Sequence, residues 1–380
     1  MKNLIELRRD LHAHPELARA ERRTTRVVAD ILTSVGLQPR VLPSGVGAIC
    51  DIGPAHGPTV ALRADLDALP IQDEKVTEYR SQHDGICHAC GHDVHTTILV
   101  GAALRLAERK HELRGRIRLI FQPAEESSSS GSLDVIASGA TEDVDIMFAL
   151  HCDPSATVGK VGLRIGEITS AQDHLMISLQ GKGGHSARPH LTPSPIDVLG
   201  QIIVSLSRTV NDQLPEDQRM LIGFGSMHSS GTKNAIPSYA EATGTVRIPS
   251  KHVWPEAPRL VEEALGKLIA PFGMDWELTY KRVCPSVVNN SAAVQVLRNT
   301  AERLLGDSSI FEAPQSYGGE DFSWYLQRVP GALFRLGVRP PDQLDYVDLH
   351  SGLFDIDERA IDVGVDMMVN TALSTVGLTI

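Results

Sequence analysis

Five thiol or imidazole groups fall within nine residues in Cys87-His88-Ala89-Cys90-Gly91-His92-Asp93-Val94-His95. Packing does not need that density, and thiolate and neutral imidazole are the donors that borderline divalent metals prefer. Gly91 lets the backbone turn tightly between Cys90 and His92. Other chemistries compete for the cluster. A Cys87/Cys90 redox pair would leave the histidines unused. A structural zinc site would want a second ligand pair at short range, and no second Cys-x-x-Cys follows. Haem attachment would need histidine where Gly91 stands. A catalytic metal site collecting more ligands from distant loops uses most of these residues.

A second cluster, Phe121-Gln122-Pro123-Ala124-Glu125-Glu126, stands at the exit of a strand predicted over 116–121. In a continuing strand the two glutamates would face opposite sides, but Pro123 ends that regularity and lets both reach one site. One carboxylate then suits metal binding and its neighbour the proton of a water. A glutamate pair alone is also what a solvated loop contains; placement at the carboxyl end of a strand favours function. His151 follows a predicted strand over 144–150, and His350 sits in Asp348-Leu349-His350-Ser351-Gly352. A single histidine at a strand end is usually structural. With the two clusters, however, these complete a Cys/His/Glu/His/His donor set.

The elements that must position these groups are legible in outline. Helical and strand patterns alternate through the first half, as in a largely parallel sheet covered by helices. From about residue 171 to 284 the order becomes β-α-β-β-α-β, that of a ferredoxin-like α+β module. The expected architecture is a discontinuous α/β domain over 1–170 and 285–380, interrupted by an insert over 171–284. The 380 residues suit two domains of the usual ~100 to 200 residues. With 47 acidic against 36 basic residues the formal charge is −11, which repels nucleic acid. No run approaches the ~18 to 20 apolar residues of a membrane span, and residues 1–10 turn charged before a signal-peptide core develops. The expectation is a cytoplasmic protein with no membrane partner. Its five dispersed cysteines are not a disulfide framework.

The ordered motifs Arg8-Arg9-Asp10-Leu11-His12 with His14-Pro15-Glu16, Ala64-Asp65-Leu66-Asp67-Ala68-Leu69-Pro70, His88-Ala89-Cys90-Gly91-His92-Asp93, Gln122-Pro123-Ala124-Glu125-Glu126, Gly183-Gly184-His185-Ser186, Gly318-Gly319-Glu320-Asp321-Phe322 and Leu349-His350 resemble the aminoacylase and carboxypeptidase family of metal-dependent amidohydrolases. The cysteine-containing motif is similar to the branch of hippurate hydrolases and hydrolases of indole-acetyl amino acid conjugates. The resemblance implies that Cys90, His92, Glu126, His151 and His350 hold two divalent ions, zinc or manganese first, with cobalt or nickel as alternatives. It implies that Glu125 is the general base, with Asp67 supporting a ligand. The insert would be a lid and dimerisation domain, making the protein a homodimer or higher homo-oligomer. There His185 would stabilise the oxyanion, while Asn234 and Arg247, together with Gly319 from the segment after the insert, would bind substrate; the arginine fork suits a carboxylate. The implied activity is hydrolysis of small N-acyl amino acids, with a dipeptidase or carboxypeptidase as the alternative and a silent metal or thiol sensor behind both. Methionine is expected before His88, where Cys87 stands. A Cys87–Cys90 disulfide would withdraw a ligand, and the run from Ser127 to Ser130 departs from the branch where substrate preference could be set.

Overall fold

Strand Thr59–Asp65 is buried at every residue, as a strand covered on both faces must be. The computed structural model describes residues 4–377, and in it this strand lies inside an eight-stranded sheet. Across the sheet the order is Arg40–Val41, Ala48–Ile52, Arg116–Gln122, Thr59–Asp65, Ile146–Thr157, Gly331–Arg339, Val161–Leu163 and Ile310–Glu312. The four strands from Arg116–Gln122 to Gly331–Arg339 run parallel. Antiparallel pairs flank them on both sides.

Side chains alternate between two buried clusters with the strand period of two. Val60, Leu62, Ile117, Leu119 and Phe121 share one core with helices that include Leu4–Ala13, Arg22–Ser34, His92–Glu108 and Arg359–Thr375. Ala61, Ile120, Met147 and Leu333 form the other, with helices Gly131–Ala137 and Ser323–Leu326. The mixed, largely parallel sheet is thus flanked by helices on both faces.

The chain divides into two compact units. The first holds the described residues up to Ile168, then Val287–Pro314, then those from Asp321 onward. The second is Thr169–Ser286 with Gln315–Glu320. Its antiparallel sheet has the order Leu221–Ser229, Tyr239–Ile248, Ala171–Gln180, Asp275–Cys284, which with helices Pro195–Asn211 and Ala257–Ile269 makes it ferredoxin-like. In Ala171–Gln180 buried residues alternate with partly exposed ones, and Leu175, Ile177 and Leu179 enter a core of their own with Leu199, Leu206 and Val261. The segment Gln315–Glu320 is bound there: Gln315 Nε2 donates to the carbonyls of Thr169 and Pro249. No helix among the described residues is long and apolar enough to cross a membrane.

Several boundaries differ from the sequence expectation, two of them next to the candidate site. An amphipathic pattern over 96–107 predicts a helix, and in the structure that helix begins at His92. Its first turn is buried through polar partners, so no apolar period marks it. The strand expected to stop before His151 runs on to Thr157, because pairing with Gly331–Arg339 continues where apolarity ends.

Candidate metal centre

Gly91 takes φ 85, a left-handed conformation open to glycine, and a Cβ there would stand 3.0 Å from Cys152 Sγ. The turn places Cys90 just ahead of the helix and His92 as its first residue. Ligand atoms of Cys90, His92 and His151 all lie within 4.8 Å of one another. Cys90 Sγ is 3.5 Å from His151 Nε2. His151 Nδ1 donates to the Cys152 carbonyl at 2.8 Å, which fixes the tautomer and leaves the Nε2 lone pair for the site. Burial, aided by Arg335, pushes the His151 pKa well below its usual value, so the ring is neutral, as a ligand must be.

Cys90 also belongs to a second group, with Glu126 and His350, whose atoms meet the same 4.8 Å limit. His350 Nε2 is 3.1 Å from Glu126 Oε1. The His350 backbone sits at φ 61, and its N–H donates to the Ala89 carbonyl at 2.8 Å. Non-glycine residues held there carry strain that concentrates at functional sites. His92, Glu125 and Glu126 form a further group. The structure therefore brings together the five residues expected as ligands, with Glu125 beside them.

The donor set fits divalent cations. His92 is fully buried, and its ring nitrogens face Asp67 at 3.4 Å and Asp65 at 3.7 Å without forming a hydrogen bond, a state that coordination would relieve. Burial disfavours its imidazolium, but Asp65, Asp67 and Glu126 outweigh this and hold its pKa up at about 10. Burial and the carboxylates of Glu126 and Glu125 push the Cys90 thiol up. A cation entering here displaces both protons and supplies the counter-charge for the surrounding carboxylates. Cys87 and Cys90 are both buried free thiols.

Supporting residues fix these ligands. Asp67 accepts the backbone N–H of Glu125 at 3.0 Å and of Glu126 at 2.9 Å, and lies 3.4 Å from His92 Nδ1, so one carboxylate links the two motifs. Asp65 receives His95 Nδ1 at 2.7 Å and Arg63 Nη1 at 2.8 Å. His95 Nε2 accepts the Cys152 N–H at 3.0 Å. Both of its nitrogens are committed, so His95 braces the site, which its place in the cysteine and histidine cluster does not reveal. Arg8 and His12 each reach Asp93 at 2.8 Å, tying the first helix to the start of His92–Glu108. Burial would raise the Asp93 carboxyl; Arg8 and His12 outweigh it and hold it well below the usual range. Glu21, fully buried, accepts the N–H of Ala124 at 2.7 Å, where Ala124 turns through φ 57. Burial pushes its pKa up to about 7. Nothing in the sequence singles Glu21 out, because its partner is a backbone amide 103 positions away.

The remaining expected residues lie in the second unit. His185 is on the strand Gly184–His185, paired with Ala235–Ile236, and the Ser186 N–H donates to the Asn234 carbonyl at 3.3 Å. The Ala187 N–H donates to His185 Nδ1 at 3.0 Å, which leaves Nε2 as the protonated nitrogen of the neutral ring. Arg247 donates to Gln172 Oε1. A Cβ at Gly319 would stand 2.4 Å from that same oxygen, so a larger residue there would displace the Gln172 amide.

Residues 61–374 match the model of peptidase family M20/M25/M40. A putative glutamate–cysteine ligase of Rhodococcus jostii is 44% identical over 97% of the chain, which spans only 46% of that relative's length. An N-acetyl-L-cysteine deacetylase of Bacillus subtilis is 36% identical over 95% of the chain and 85% of its own. A crystal structure of a Bacillus subtilis protein described as a dinuclear metal-binding peptidase of the M20 family superposes with a TM-score of 0.86. It shares 32% identity and covers 98% of this chain and 97% of its own.

Proposed function

The chain belongs to peptidase family M20/M25/M40 and is a metal-dependent amidohydrolase, and we propose that its substrates are small N-acyl amino acids, cleaved into a carboxylic acid and an amino acid. The observation that carries this reading is the sharing of Cys90 between two donor groups, with Glu125 grouped with His92 and Glu126. Two divalent cations held by Cys90, His92, Glu126, His151 and His350 would polarise the amide carbonyl and acidify a water. Glu125 takes the proton of that water as its oxygen bonds to the carbonyl carbon. The same carboxyl returns the proton to the departing amine nitrogen as the C–N bond breaks. Asp67 holds the backbone of both glutamates so that ligand and base keep separate roles. The roles of His185 at the oxyanion and of Asn234, Arg247 and Gly319 towards the substrate rest on the resemblance of their motifs.

The deacetylase relative makes N-acetyl amino acids the first substrates to try. The thiolate favours zinc, and the imidazole and carboxylate donors also accept manganese, cobalt or nickel. Cytoplasmic residence belongs to the same reading. So does a homodimer joined through the second unit, whose edge strand Leu221–Ser229 is mostly exposed; monomeric sedimentation would reject it. The deciding experiment compares initial rates of metal-reconstituted protein on N-acetyl and N-benzoyl amino acids and on unmodified dipeptides. Faster cleavage of the acylated set is expected. Preference for dipeptides would make the protein a dipeptidase or carboxypeptidase, and no turnover on either set would reject the reading.

A further inference from the structure

Asp321 is 3% exposed, and its carboxylate gathers donors from both ends of one loop. Gln122, the last residue of strand Arg116–Gln122, donates through Nε2 to Oδ1 at 2.8 Å and to Oδ2 at 2.9 Å. Ser130, just ahead of helix Gly131–Ala137, donates through Oγ to Oδ2 at 2.8 Å, and the Ser132 N–H reaches the same oxygen at 3.2 Å. Arg63 Nη2 donates to Oδ1 at 2.9 Å. Residues 123–129, which carry both glutamates, thus leave one carboxylate and return to it. The Asp321 N–H itself reaches Glu125 Oε1 at 3.4 Å.

Five hydrogen bonds fall on the roughly four lone-pair positions of this carboxylate, which commits it to protein donors from the loop and from Arg63. Ser130 sits at φ 27, a backbone state that a non-glycine residue keeps only when its surroundings impose it, and its hydroxyl is bound to Asp321. Arg63 also donates to Gln122 Oε1 at 2.9 Å and to Asp65, so the same network reaches the histidine support of the metal centre.

We propose that Asp321 is a positioning residue for the general base: it closes the glutamate loop on itself and, through its own N–H, holds the Glu125 carboxylate apart from the ligand Glu126. The proposal rests on Glu125 being the base, as argued above. Asp67 anchors the middle of the loop through the amides of Glu125 and Glu126, and Asp321 anchors its ends. Without the second anchor, the loop keeps its metal-binding glutamate near the cations but loses the aim of its neighbour.

The test is Asp321→Asn in the metal-loaded full chain, which keeps the shape but turns an NH2 towards other donors. Expected are two metal equivalents by elemental analysis, an unchanged KM and a kcat lower by about 10- to 100-fold, as small misplacement of a reacting group produces. Amides of residues 124–132 should exchange faster with deuterium. Should Asp321→Asn fail to fold, Ser130→Ala removes one anchor and should show the same pattern more weakly. Wild-type kcat together with wild-type exchange would overturn the proposal. Loss of activity in proportion to lost metal would also overturn it, since Asp321 would then support the ligand and not the base. A wild-type protein inactive on every N-acyl and dipeptide substrate would reject the activity reading alone, and exchange in the variant would still decide whether Asp321 holds the loop.

Discussion

Glu125 and Glu126 are neighbours in sequence with opposite assignments, and each assignment has its own consequence. Glu125→Gln keeps a neutral side chain of the same shape, so metal should stay bound while turnover falls by about 10²- to 10⁴-fold. Steady-state rates with elemental analysis check both halves, and full activity would sink the role. Glu126→Ala should instead lower metal occupancy after dialysis. Glu21 makes a prediction about pH. Its carboxyl binds a proton more tightly in the folded than in the unfolded chain, with the pKa pushed up to about 7. Its stabilising contribution is therefore complete below the ordinary ~4.3 and is lost as pH rises through the folded value. Glu21→Gln should flatten the fall of Tm between about pH 5 and pH 7.5. An identical slope in the variant would show that another group governs it. The donor types and the glutamate pair were legible in the sequence because chemistry follows residue type. The partners of Asp321 were not: Arg63, Gln122 and Ser130 stand 258, 199 and 191 positions away.

Among the elements, helix His92–Glu108 carries the site, and its N-terminal turn is where local geometry is tightest. Gly91→Ala should cost roughly 1 to 3 kcal/mol, the usual expense of a left-handed non-glycine residue, with the Cys152 Sγ contact adding to it. It should also lower metal stoichiometry, because the turn separates two of the proposed ligands. Thermal melts and elemental analysis would show this, and an unchanged midpoint would contradict it. Arg8, 1% exposed, bonds Asp93 and also Asp355 at 2.7 Å. Removing it as Arg8→Ala leaves the buried Asp93 carboxylate with His12 as its remaining side-chain partner, at about 3 to 5 kcal/mol by the usual cost of a broken buried pair. The variant should unfold at lower denaturant concentration in urea titration. The helix was legible only from residue 96 because its first turn is held by charge pairing, which leaves no apolar period.

At the level of the molecule, alternation of patterns was enough to read the fold, since a sheet covered on both faces and a ferredoxin-like sheet bury side chains with different periods along the strand. The two units have separate cores, so damage in one should stay there. Ile177, buried in the core of the second unit, is the test: Ile177→Ala should cost roughly 2 to 5 kcal/mol while leaving metal stoichiometry intact. Calorimetry paired with elemental analysis measures both, and loss of metal would show the cores to be coupled.

The place of strand Gly331–Arg339 between Ile146–Thr157 and Val161–Leu163 also bears on the order of synthesis. Its two neighbours leave the ribosome long before it does. At ~5 to 20 residues per second, Ile146–Thr157 waits roughly 9 to 35 s with one edge unpaired. His350 emerges later still, so the nascent chain gathers four of the five proposed ligands before it has the sheet that sets their spacing. Chains stalled before Gly331 are therefore expected to be cut by protease along Ile146–Thr157, and chains released after His350 to resist; equal resistance would mean that the sheet closes by another route.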